Sequence, residues 1–208
     1  MAIIAPCITA LTLDDYAQQL AKIEAFAQRL HIDLADGDFA PVSLVPPQNV
    51  HWPKTATADI HVMYQQPLSI LETLISLHAQ TLILQIEADD VMVCLQNLTQ
   101  LGVRRGLSLL PDTPAEALKP FLEFVDHVLI FSGDLGHFGG KVNTAHLSKV
   151  AEIKSWRSEL EIGWDGGVNA DNARQLMQGG VDVLNSGGFI QKSDDPQRAY
   201  QQLVDAIS

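Results

Sequence analysis

Leu30-His31-Ile32-Asp33-Leu34 sets two titratable side chains at alternate positions of an apolar run. Residues two apart in a β-strand point to the same face. His31 and Asp33 therefore share one side, and Ile32 and Leu34 the other. An ionised carboxylate that faces a protein interior is costly unless it is paired or metal-bound. A strand with an apolar outer face and a polar inner one suits the mouth of a closed parallel barrel wrapped by helices.

The rest of the chain repeats this unit. Short apolar runs mark candidate strands at residues 3–5, 30–34, 58–63, 81–86, 105–109, 127–131, 161–164 and 181–185. Between them lie helical patterns. Residues 13–29 carry apolar side chains at Tyr16, Leu20, Ile23 and Ala27, which is helical spacing. Residues 67–77, 89–101, 114–124, 144–156, 169–177 and 196–207 read similarly, with Asp89, Thr113, Asn169 and Asp194 as candidate N-caps. Residues 36–57, rich in proline and polar side chains, leave room only for a short helix. Strands alternating with helices imply parallel pairing. An open doubly wound sheet is the rival, but eight units in 208 residues favour an α/β (β/α)8 TIM barrel, expected as one domain over residues 1–208.

Composition narrows the function. An apolar fraction of 47% with 18% charged residues describes a globular chain. A net charge of −12 argues against a nucleic-acid partner, whose phosphates need a basic surface. It does not exclude an anionic small molecule, which backbone amides can bind. Two cysteines, Cys7 and Cys94, give no disulfide framework and suggest a reducing compartment. The opening residues lack a basic segment and a long apolar run, and Pro6 interrupts them. No stretch approaches the roughly 18 apolar residues of a membrane helix, so no membrane partner and a cytoplasmic location are expected.

Two further residues join His31 and Asp33. His61, between Ile60 and Val62, faces away from its apolar neighbours, and Asp165 ends a strand before Gly166-Gly167. Each has an ordinary reading: a buried His–Asp hydrogen bond, a core histidine, a turn aspartate. Together they favour one divalent metal ion, with zinc, iron(II), manganese and cobalt all suited to two histidines and two carboxylates. Asp33 and Asp165 on opposite faces of a planar enediolate would take a proton from one side and deliver one to the other. Gly166, Gly167, Gly187 and Gly188 follow the last two strands, the usual phosphate grip of such barrels. Gly139 and Gly140 close a third glycine-rich loop that would cover a ligand. No lysine falls inside a candidate strand, which disfavours Schiff-base chemistry.

The run His31-Ile32-Asp33-Leu34-Ala35-Asp36-Gly37-Asp38-Phe39-Ala40-Pro41 resembles the signature His-x-Asp-x-Met-Asp-Gly-x-Phe-x-Pro of the ribulose-phosphate 3-epimerase family. Ile4-Ala5-Pro6-Cys7-Ile8, Asp59-Ile60-His61-Val62-Met63 and Trp164-Asp165-Gly166-Gly167-Val168 are similar to further family segments, so the likeness runs nearly end to end. It implies a ribulose-phosphate-binding barrel with His31, Asp33, His61 and Asp165 as metal ligands and Asp33 and Asp165 as acid/base groups. It also places Cys7 and Met63 beside the substrate. A phosphorylated ketose is the implied substrate, and a homo-oligomer is expected because barrels of this kind often associate.

The chain departs from the family pattern at several points. Cys7 replaces a serine, Ala35 and Phe131 replace methionines, Gln85 stands for a histidine and Leu110 for an asparagine. The loop 132–140 lacks the family's proline. The ligand and acid/base set is intact while walls and lid differ, which bears on substrate more than on reaction type. The expected activity is 3-epimerisation of D-ribulose 5-phosphate to D-xylulose 5-phosphate. The alternatives are the same reaction on a hexulose 6-phosphate, a non-catalytic sugar-phosphate-binding barrel, and a metal site with only a structural role.

Overall fold

Eight parallel strands close into a barrel in the order β1 to β8. They are β1 (Ile3–Ile8), β2 (Arg29–Ala35), β3 (Thr57–Met63), β4 (Thr81–Gln85), β5 (Arg105–Leu109), β6 (His127–Phe131), β7 (Glu161–Asp165) and β8 (Val183–Ser186). This computed structural model describes residues 2–208. The α-helices are α1 (Leu13–Ile23), α2 (Leu71–Ser76), α3 (Val91–Gln100), α4 (Leu147–Trp156), α5 (Ala173–Gln178), α6 (Gly188–Gln191) and α7 (Pro196–Ile207). Closure decides against the open sheet, because β1 pairs with both β2 and β8. No helix is long and apolar enough to cross a membrane among the described residues.

The barrel sorts its residues by parity. Leu30, Ile32 and Leu34 of β2, and Ala58, Ile60 and Val62 of β3, join the buried apolar layer shared with the helices. The residues between them point inward. Strand register sets these in steps: His31 opposite Asp59, Asp33 opposite His61, Ala35 opposite Met63.

Several local expectations need correction. The pattern at 13–29 is helical only to Ile23; Thr12 caps α1, its side chain accepting from Asp15 N at 3.1 Å, and Arg29 belongs to β2. Residues 114–124 form no α-helix: Ala115–Phe124 is a 3-10 segment with Pro120 inside, where an α-helix would lose a hydrogen bond and clash with the ring. Thr113 does not cap it; its hydroxyl bonds the Glu87 carboxylate. The caps expected at Asp89 and Asp194 fall one residue later. Asp90 precedes α3 without a side-chain bond, and Asp195 caps α7 by accepting from Arg198 N at 3.0 Å. β1 also runs three residues past its expected end, since pairing with β2 starts at Cys7, just beyond Pro6.

A buried ion network fills the N-terminal end of the barrel. Arg29 Nε donates to Asp59 Oδ2 at 2.6 Å, and its two Nη atoms donate to both Glu161 oxygens at 2.9 and 2.7 Å. Arg104 Nη2 and His127 Nδ1 also approach Glu161 Oε2, at 2.9 and 2.8 Å. Such a fork of paired bonds satisfies charges that burial would otherwise penalise. The opposite end is left for the site.

Candidate metal and acid-base site at the barrel mouth

His31, Asp33, His61 and Asp165 converge at the C-terminal end of the barrel, each offering one ligand atom within 4.8 Å of the others. Period-2 alternation explains the aim of each side chain: His31 and Asp33 are two apart on β2, His61 lies opposite Asp33 on β3, and Asp165 ends β7. His61 Nδ1 lies 2.9 Å from Asp33 Oδ1. His31 Nε2 is 3.3 Å from Asp33 Oδ1 and 3.8 Å from Asp165 Oδ2. The nitrogens that face the carboxylates are therefore His31 Nε2 and His61 Nδ1. Two imidazoles and two carboxylates aimed at one point form a donor set that fits zinc, iron(II), manganese or cobalt. His31 Nδ1 and Nε2 lack any hydrogen-bond partner among the described residues, as fits nitrogens kept for another interaction.

Electrostatics separates the two carboxyls. Burial pushes Asp33 up, but the imidazoles of His31 and His61 beside it outweigh it and hold Asp33 below its ordinary value. Burial also pushes Asp165 up, and the neighbouring Asp33 charge adds to it, raising Asp165 to about 6. Carboxyls driven apart in this way suit paired donor and acceptor roles. Burial, then Asp165 and Asp33, push the Cys7 thiol well up, which disfavours the thiolate.

Above the cluster opens a cavity of about 320 Å³. Asp33 and Asp165 form part of its floor, and Cys7, Met63, Gly139, Gly140, Gly166, Gly167, Gly187 and Gly188 all line it. His31 and His61, fully buried, lie beneath. Gly140, Gly166, Gly167 and Gly187 are required by close approach. A Cβ on Gly166 (φ +111°) would strike the backbone of Gly133, and one on Gly187 would come within 3 Å of the Phe138 ring. The loop after β6 is thus laced to the loop after β7, and Gly167 N donates to Gly139 O at 3.1 Å. Asp36, next in the signature after Ala35, is an organiser of its loop: Oδ1 accepts from Asp38 N and Phe39 N, and Oδ2 from Gln65 N.

Three neighbours of the site were not singled out from the sequence. Thr9 Oγ1 donates to Asp33 Oδ2 at 2.6 Å, taking the carboxylate oxygen that the histidines leave. The signal was period 2, since Thr9 lies two past Cys7, but it required β1 to continue through Pro6. Asn185 lines the cavity with a buried and unpartnered Oδ1 among the described residues. Lys192 adds a cation to the rim beside Gly187 and Gly188. Gln85, marked in the sequence only as a departure from the family pattern, contacts His61 from the side away from the carboxylates, Nε2 to Nε2 at 2.8 Å.

Comparison with known proteins adds an independent finding. A family profile described as "Ribulose-phosphate 3 epimerase family" matches residues 3–190. The chain is 32% identical over 198 residues to a ribulose-phosphate 3-epimerase of Treponema pallidum, covering 88% of each. It is 30% identical over 210 residues to one of Helicobacter pylori, covering 96% of this chain and 95% of that one. Among solved structures, a 3-hexulose-6-phosphate synthase superposes with a TM-score of 0.73 at 15% identity, over 99% of this chain and 100% of that one. KGPDC from Streptococcus mutans gives 0.75 at 10% identity, over 100% of this chain and 97% of that one. At such identities these structures attest the fold alone.

Proposed function

The chain belongs to the ribulose-phosphate 3-epimerase family, hence to the isomerases, and from that premise we propose that it interconverts D-ribulose 5-phosphate and D-xylulose 5-phosphate. The observation that carries the proposal is the convergence of His31, Asp33, His61 and Asp165 beneath one cavity.

In this reading the four residues hold one divalent ion, and the ion supplies Lewis-acid stabilisation of negative charge on the sugar's oxygens, a contribution of several kcal/mol. Asp33 is the base in one direction. Thr9 Oγ1 donates to its second oxygen and orients it. Asp33 takes the C3 proton and leaves a planar enediolate. Asp165, protonated at the start of this direction, returns its proton to C3 from the opposite face, which inverts that carbon. The reverse reaction exchanges the two roles. Positioned proton transfer of this kind contributes about 10²–10⁴-fold.

Gly166, Gly167, Gly187 and Gly188 would grip the phosphate through backbone amides, with Lys192 at the rim. Cys7, Met63 and Phe131 wall the reacting carbons, and Gly139 and Gly140 belong to the loop that shields them from water. The test is product analysis with a panel of ketose phosphates. Conversion of ribulose 5-phosphate to xylulose 5-phosphate supports the reading. Turnover confined to a hexulose 6-phosphate would keep the chemistry and change the substrate. No turnover of either would leave a binding barrel.

A further inference from the structure

Gln85 is fully buried at the end of β4, and its amide touches the one ring nitrogen of His61 that does not face the carboxylates. We propose that Gln85 is a positioning residue for the metal centre, whose amide holds the His61 ring proton on Nε2 and so leaves the Nδ1 lone pair free for the ion. The proposal rests on the metal-site reading above.

Two observations carry it. First, His61 has one nitrogen on each side: Nδ1 is 2.9 Å from Asp33 Oδ1 and Nε2 is 2.8 Å from the Gln85 amide. A ligand nitrogen must be unprotonated, so a neutral His61 that binds through Nδ1 carries its proton on Nε2 and needs an acceptor there. Second, Gln85 Oε1 is buried without a hydrogen-bond partner among the described residues. Turning the amide by half a revolution brings this orphan oxygen onto His61 Nε2, where it accepts the proton. A side-chain amide carries both a donor and an acceptor at one end, so Gln85 can serve either His61 tautomer. An aliphatic residue of the same length serves neither.

The experiment is Zn²⁺ titration by calorimetry of the intact wild type, Gln85→Met and Gln85→Glu, with ring ¹⁵N NMR of His61 in the zinc-loaded wild type. Gln85→Met keeps the volume and removes the acceptor, and should lose about 10–100-fold in zinc affinity, the usual cost of losing such an outer partner. Gln85→Glu keeps an acceptor and should bind at least as tightly as wild type. The NMR should place the His61 proton on Nε2. Unchanged affinity in Gln85→Met, weakened binding in Gln85→Glu, or a ring proton on Nδ1 of the zinc-loaded wild type would each overturn the inference while leaving the metal site standing. A wild type that binds no zinc would overturn the metal-site reading and this inference with it. If Gln85→Met does not fold, Gln85→Glu and the NMR still decide.

Discussion

Asp33 and His61 are register partners on adjacent strands, and their side chains meet 2.9 Å apart inside the barrel. The pairing means that β2 and β3 cannot slip past one another without dismantling the site. Because His61 offers Nδ1 to the same point as Asp33, replacing it would, on the proposed reading, remove a ligand and leave the outer faces of both strands untouched. His61→Ala should fold, by circular dichroism, and lose bound metal by elemental analysis. Undiminished metal content would remove His61 from the ligand set.

The two carboxyls should fail separately. Asp33→Asn and Asp165→Asn keep the volume and abolish proton transfer at one face, so each should lower kcat by about 10²–10⁴-fold with the fold retained. Steady-state kinetics and a thermal melt decide. Near-normal turnover in either variant is incompatible with a base on each face.

Two glycines of the cavity should behave differently. A Cβ on Gly166 would collide with the Gly133 backbone, and its φ of +111° disfavours any side chain. Gly166→Ala should lower the melting temperature and turnover together. At Gly188 a Cβ meets only Phe138 Cβ at 3.8 Å and Lys192 Cε at 4.0 Å, ordinary contacts. Gly188→Ala should melt like wild type and raise KM for the phosphorylated substrate more than it lowers kcat, the pattern of lost ground-state binding.

The ion network at the other end sets a pH dependence of stability. Burial pushes the Glu161 carboxyl up, but hydrogen bonds from Arg29 and His127 outweigh it, so its folded pKa lies below the ordinary glutamate value. Its contribution is full above the unfolded value of about 4.3 and is lost as pH falls through the folded value. Glu161→Gln should cost about 3 kcal/mol at pH 7, the low end for a broken buried pair because Glu161 keeps partial exposure. Urea unfolding at pH 7 and pH 3 should show that cost shrinking in acid. A cost independent of pH would contradict the assignment.

Much of this was legible from residue order, for physical reasons. Barrel strands are short runs with one apolar face against helices, so Ile32, Leu34, Ile60 and Val62 announced their faces and thereby the aim of His31, Asp33 and His61. What was not legible depends on partners distant in the chain. Arg29 looks like the end of a helix until Asp59 and Glu161 are brought to it from β3 and β7. Pro6 looks like a stop until β8 pairs alongside it, which hid Thr9. Residues 114–124 have helical spacing, and only the backbone cost of Pro120 turns them to a tighter helix. Gln85 stood out as a departure in β4, yet its contact with His61 is a tertiary fact with no local signature.

The central claim is that Asp33 and Asp165 move a proton at C3 of a ketose phosphate with the help of a bound metal. The most direct measurement is deuterium incorporation at C3 of D-ribulose 5-phosphate in heavy water, followed by NMR, with and without a chelator. Wash-in of deuterium accompanied by xylulose 5-phosphate, abolished by the chelator and restored by a divalent metal, is the predicted result. Metal-loaded, folded protein that exchanges no proton at C3 of ribulose 5-phosphate or of any hexulose 6-phosphate would contradict it.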